Sequence, residues 1–289
     1  MTTTLSTAPY RRPGLRGLRV LGQGPLFTAS VAVLALLVLV AVLAPALAPY
    51  DPEALDLAAS LVGTGGDHLL GTDQSGRDIL SRLLHGARTG LLGPLLVVGV
   101  STLLGLLLGV VAAWRGGWAD AVLSRSMDLV FAIPGLMLAI LLVSVVGPGM
   151  TAPVIAMSVA YTPYVGRLVR GIARQEKRRP YIEAYVVQGW SGWTVCLHHL
   201  LPNIAPTVLA QSAMNFGYAL MDLAALSFLG FGVQPPTADW GAMINEGQGA
   251  VLQGAMLPAL APSACIVLAV VAFGIVGEGL ADRIARREK

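Results

Sequence analysis

Long apolar runs alternate with short polar stretches along this chain, and the runs have the length of membrane crossings. A helix needs about 20 mostly apolar residues to span about 30 Å of hydrocarbon. Residues 27–47, 91–113, 129–146 and 257–276 meet or approach that length without a charge, and 208–228 does so with one, Asp222. A sixth run, 151–166, is uncharged but short and holds Pro153 and Pro163. It is counted as a span because of where the bases fall. With six spans and the N-terminus inside, every Lys and Arg except Arg77, Arg82 and Arg88 lies on the cytoplasmic side, as the positive-inside bias requires. The three outer arginines sit among Asp51, Glu53, Asp56, Asp67, Asp73 and Asp78. Without the sixth span the termini would part and a basic cluster would face outward.

The pattern predicts an all-α polytopic membrane protein with both termini cytoplasmic. It divides into a cytoplasmic segment 1–26, a first transmembrane helix 27–48, an outer loop 49–90 and a five-helix core 91–280. The core carries an inner loop 167–203 and an outer loop 230–256, and a cytoplasmic tail 281–289 follows. Ala46-Leu47-Ala48 offers small residues after a basic leader, but the apolar run exceeds a signal core and Pro49 follows it, so 27–48 is read as an anchor. In the second span Ser101, Gly105, Gly109 and Ala113 recur every four residues, a stripe that lets another backbone approach closely, within the subunit or between subunits.

Composition agrees with this reading: 55% of the 289 residues are hydrophobic and 12% charged, about half the charge of a soluble domain. A soluble enzyme, a disordered chain and a disulfide scaffold are excluded. A net charge of +3 does not suggest nucleic acid as a partner; lipid is the surrounding medium. Cys196 and Cys265 show no metal-ligand spacing, and adjacent His198 and His199 do not share a helix face. No phosphate-binding G-x4-G-K-S/T loop, H-E-x-x-H, C-x-x-C or G-x-S-x-G occurs. The chain holds no cofactor or metal of its own by this reading, and energy for transport must come from elsewhere. Asp222 is the one acid well inside a span. It is read as a carboxylate held by hydrogen bonds at a helix interface or near the outer mouth, with a proton relay as the competing role.

The inner loop carries the most information. Pro180 suits a first helical turn, Glu183 favours the positive helix end, and Gly189 suits the left-handed position that closes a helix. Tyr181, Ala184, Tyr185 and Gln188 are expected on one face. Ser191 can cap a second helix, which Pro202 is expected to stop. Two short helices joined by a glycine turn result.

These residues carry a resemblance. Glu183-Ala184, Gly189 four residues after Tyr185, and Leu201-Pro202 resemble the E-A-A-x3-G-x9-I-x-L-P signature of bacterial ABC importer permeases. His199 stands at the Ile position, as in the peptide/nickel branch of that family. The blocks 68–88 (HLLGTDQSGRDILSRLLHGAR), 225–241 (ALSFLGFGVQPPTADWG) and 277–282 look like the C-type permease of dipeptide and oligopeptide importers. The resemblance implies a type I ABC importer permease fold. It also implies a homologous second permease, one or two cytoplasmic ATPase subunits that carry the ATP and Mg, an extracytoplasmic solute-binding protein and a peptide-like substrate. It assigns coupling to the ATPase to Tyr181, Glu183, Ala184, Tyr185, Gly189, His199, Leu201 and Pro202. Tyr185 departs from the signature's second alanine, and Asp222 stands where these permeases usually carry Glu. A nickel, opine or glutathione importer of the same family is the neighbouring alternative, and a lone proton-coupled transporter using Asp222 is the alternative from another class.

Overall fold

The computed structural model describes residues 24–287, and among them the chain is helical apart from turns and short connections. The expected inner bases Arg11, Arg12, Arg16, Arg19 and Lys289 lie outside the described residues. The long elements are α1 (Pro25–Leu47), α2 (Ile79–Arg115), α3 (Gly117–Phe131), α4 (Gly135–Val146) and α5 (Thr151–Lys177). After the short α6 (Pro180–Val187) and α7 (Gly192–Val195) come α8 (Leu201–Phe228), α9 (Trp240–Glu246), α10 (Gln248–Leu252) and α11 (Leu257–Arg287).

The six expected spans correspond to α1, α2, the α3–α4 pair, α5, α8 and α11. By length and apolarity alone, α1, α2 and α11 qualify as crossings, and the bent α3–α4 pair makes a fourth if it counts as one. With 27 and 28 residues, α5 and α8 are long enough but more polar. Their Ser158, Thr162 and Asn215 are buried, so these helices sit inside the bundle, α5 along α2 and α8 along α11. Polar groups in a span belong there rather than against lipid. By contrast α1 leaves Leu36, Val38, Leu39 and Val42 exposed.

Three local features differ from the sequence expectation. First, the run 129–146 is not one straight helix: α3 and α4 meet at 78° across Ala132–Pro134. Pro134 offers no N–H and disfavours helical backbone at the residue before it. Second, several helices outrun their apolar segments. At 37 residues α2 is about 55 Å long at 1.5 Å per residue, and α5 continues eleven residues past Gly166. Third, Pro202 does not stop a helix. Helix continues from α7 through a π-helical turn (Cys196–Leu200) into α8, with Leu201 N–H donating to the Cys196 carbonyl. The wider turn makes room for a ring that would meet the carbonyl four residues back in an α-helix.

At the end of the bundle formed by segments 49–90 and 230–256 the chain is held by buried ions. Asp73 pairs with Arg77 (2.8 Å) and with Arg82, and Glu246 on α9 pairs with Arg77 (3.0 Å) and Arg82 (2.7 Å). The Arg82 side chain is 1% exposed. The same face carries Trp240, whose indole N–H donates to the Leu83 carbonyl (3.0 Å) and whose ring lies over Gly86 and Gly90 of α2. Two of the three arginines expected outside are therefore structural clamps. Asp239 caps α9 through the Ala242 N–H, and burial pushes its carboxyl above the usual range.

Candidate functional site

The end of the bundle where α2 and α5 terminate presents one short helix on a braced mount. Pro180 opens α6 at its first turn. The helix closes on Gly189, whose φ of +85° suits a residue without Cβ. The Gly189 N–H reaches the Val186 carbonyl (3.0 Å) and the Trp190 N–H reaches the Tyr185 carbonyl (3.1 Å), the paired bonds of a Schellman closure. Ser191 then caps α7, accepting from the Thr194 N–H at 3.2 Å. The helix-turn-helix therefore satisfies its exposed backbone ends locally.

Its anchorage runs through three helices. Ile182 is buried in an inner cluster with Val110 of α2, Val169 of α5, Val195 of α7 and Ile204 of α8. The Tyr181 hydroxyl donates to Glu176 at the end of α5 (2.6 Å) and accepts from the Asn203 amide of α8 (2.7 Å). Burial raises the Tyr181 phenol pKa, which keeps it a neutral donor. Glu176 also pairs with Arg179 at 2.8 Å. Lys177 donates to the Trp114 carbonyl at the end of α2 (2.6 Å) and lies over its ring. Gly192 passes so close that a Cβ would stand 2.8 Å from the Trp114 indole nitrogen.

The expected one-sided face of α6 splits. Tyr181 and Tyr185 are half-buried and turn inward, whereas Glu183, Ala184 and Gln188 are exposed. Beside them Val187 is 88% exposed and Val186 and Trp190 are open as well. Tyr185 brings no bulk to that outer face: its ring stacks on His199 with centroids 4.0 Å apart, and Trp190 meets both rings edge-on. His199 Nε2 is buried without a hydrogen-bond partner. Leu201 is half-buried against the inner cluster and Pro202 is exposed.

The remaining singled-out residues lie elsewhere. Ser101, Gly105 and Gly109 are buried on α2, and the two glycines face α5. A Cβ at Gly105 would stand 2.6 Å from Val165, and one at Gly109 would stand 2.6 Å from the Gly166 carbonyl oxygen. Asp222 on α8 accepts from the Tyr161 hydroxyl at 2.8 Å and lines a cavity of about 520 Å³. Sequence reading passed over Trp114, Glu176 and Asn203, which mount the elbow. Glu176 alone left a signal, as the one acid inside the basic run 174–179.

Residues 105–289 match the family described as binding-protein-dependent transport system inner membrane component, and 16–63 match the N-terminal TM domain of oligopeptide transport permease C. The chain is 34% identical to a probable D,D-dipeptide transport system permease protein of Escherichia coli K12, over 96% of this chain and 94% of that one. It is 38% identical to a glutathione transport system permease protein of Pectobacterium atrosepticum, over 86% and 83%. A di/tripeptide transport system permease protein of Pseudomonas aeruginosa is also 38% identical, over 86% and 84%. Among solved structures, a chain of the inward-facing MetNI methionine ABC transporter overlays with a TM-score of 0.57 at 16% identity. That match covers 71% of this chain and 97% of the other, a likeness of fold. Across more than half its length, this chain belongs to the family of binding-protein-dependent transport system inner membrane components.

Proposed function

We propose that the chain forms one half of the translocation pathway of an ATP-driven importer of di- and oligopeptides, and that α6 with the Gly189 turn is the part gripped by a cytoplasmic ATPase subunit. One observation carries this reading: an exposed helix bearing Glu183, Ala184, Val186, Val187 and Trp190 is fixed to the ends of α2, α5 and α8. A closed helix on a rigid mount transmits displacement, whereas a coil would absorb it. Closure of an ATPase pair, which holds the ATP and Mg, would push α6, and the push would reach the bundle through the Glu176–Tyr181–Asn203 link. The second half of the pathway comes from a homologous permease, and an outer solute-binding protein docks on the clamped segments 49–90 and 230–256. Dipeptide, di/tripeptide and glutathione permeases among the relatives support a short peptide as cargo.

The experiment is co-purification from membranes with the neighbouring gene products, followed by an ATPase assay with di- to pentapeptides. Recovery of a second permease and an ATPase, with hydrolysis stimulated by peptide and binding protein, is the expected outcome. Accumulation of peptide by the purified chain alone under an ion gradient would replace this reading with proton-coupled transport through Asp222.

A further inference from the structure

The break between α3 and α4 opens a cavity of about 520 Å³ against α5 and α8, of the size that holds small ligands. Phe131, Tyr161, Tyr164 and Tyr218 line it with aromatic rings, and Asp222 and Asn215 supply its polar groups. Among the described residues, Asp222 is the only acid on its wall, no Lys or Arg lines it, and the carboxyl's one hydrogen-bond partner is the Tyr161 hydroxyl. Arg167, whose guanidinium lies over the ring of the lining residue Phe131 at 4.2 Å, is paired with Asp128. A carboxyl without a basic partner inside a membrane protein is costly to ionise, and a cation beside it offsets that cost.

A second observation points the same way. Asn215 is 1% exposed, its oxygen accepts from Gln211, and its amide nitrogen is buried without a partner. Unpaired buried donors are rare and call for a missing acceptor. Asp222 and Asn215 lie seven residues apart on α8, about 10.5 Å along the axis. That is close to three residues of extended peptide at about 3.3–3.6 Å each.

We infer that this cavity is a subsite of the translocation pathway that receives the N-terminal ammonium of a short peptide on Asp222, with the tyrosine rings around the cation and the Asn215 amide taking a carbonyl or carboxylate toward the other end. The inference rests on the peptide-import reading and adds to it where in the membrane the cargo is held and by which end.

Zero-length coupling tests it without transport. Membranes containing the assembled transporter are treated with mass-labelled trialanine and a carbodiimide. The Asp222 carboxyl and the peptide amine then join as an amide while the carbodiimide takes up the water as a urea. The adduct is expected at Asp222 at tenfold or more lower concentration of trialanine than of ethylamine. Coupling of Asp222 to a lysine of the other permease, equal coupling with both amines, or no adduct would overturn the subsite. In uptake by the same transporter, Asp222→Asn is expected to raise KM for trialanine about tenfold. An unchanged KM in Asp222→Asn would also overturn the subsite. If wild type forms the adduct but imports no trialanine with ATP, the import reading fails and the subsite stands.

Discussion

Replacing Glu246 by alanine removes one of the two carboxylates that hold Arg77 and Arg82 at the outer end. Both guanidinium groups are buried, 5% and 1% exposed, and each pairs with Asp73 and Glu246. Breaking a buried ion pair from one side costs about 3–5 kcal/mol because a charge is left without its partner. Glu246 keeps 21% of its side-chain surface in water and Asp73 still serves both arginines, which puts the cost near the lower end, about 3 kcal/mol. At roughly 2–4 °C per kcal/mol for a chain of this order of size, the midpoint should fall by about 6 °C or more. The chain carries its own reporter. Cys196 is a buried free thiol that a thiol-reactive dye labels only when the helices open. Thermal unfolding of purified wild type and Glu246→Ala, followed by that dye, gives the shift directly, and Glu246→Gln should lose less. A midpoint within about 1 °C of wild type would mean that the four-residue clamp does not hold the outer segments.

Three further outcomes concern α6, its mount and the α2–α5 contact. At Gly189 no atom lies within 4 Å of an added Cβ, so Gly189→Ala should cost only the left-handed backbone penalty, about 1–2 kcal/mol. Gly189→Pro also deletes the N–H bonded to Val186 and should lower ATP-coupled uptake far more. Tyr181→Phe removes the hydroxyl between Glu176 and Asn203, about 1 kcal/mol by a typical hydrogen bond, and hydrogen exchange over 180–190 should quicken while the bundle keeps its protection. Gly109→Leu drives a side chain into α5 where the Gly166 carbonyl and Val169 already stand, and the folded yield from membranes should fall sharply; a yield equal to wild type would contradict the close α2–α5 approach.

Much of this architecture was legible because lipid imposes simple rules. The six apolar runs each found a helix or helix pair, and the stripe of Ser101, Gly105 and Gly109 marked a close helix approach on α2. Helix ends were less legible: α2, α5 and α11 extend beyond the hydrocarbon-length runs because their polar turns are paid for by tertiary contacts that composition does not register. Pro134 and Pro202 show the limit of local rules. Both residues forbid a regular α-helix, yet one bends the chain by 78° and the other is absorbed in a π-helical turn, and only the surrounding packing decides which. At the coupling elbow, the caps Pro180, Gly189 and Ser191 could be read from their types. The direction of Tyr185 could not, because it depends on His199, fourteen residues on, arriving beneath it through that same π turn. The outer clamp joins Asp73, Arg77 and Arg82 to Glu246 across more than 160 residues, a pairing no single-sequence pattern announces.

In the proposed importer, α6 is the surface on which a partner ATPase acts. Glu183 is exposed and makes no ion pair among the described residues, so Glu183→Lys should leave folding and membrane insertion intact. Measured in cells expressing the whole transporter, ATP-driven peptide uptake by Glu183→Lys should drop at least tenfold, with the ATPase subunit no longer co-purifying in wild-type amount. Uptake and co-purification at wild-type levels would contradict the claim.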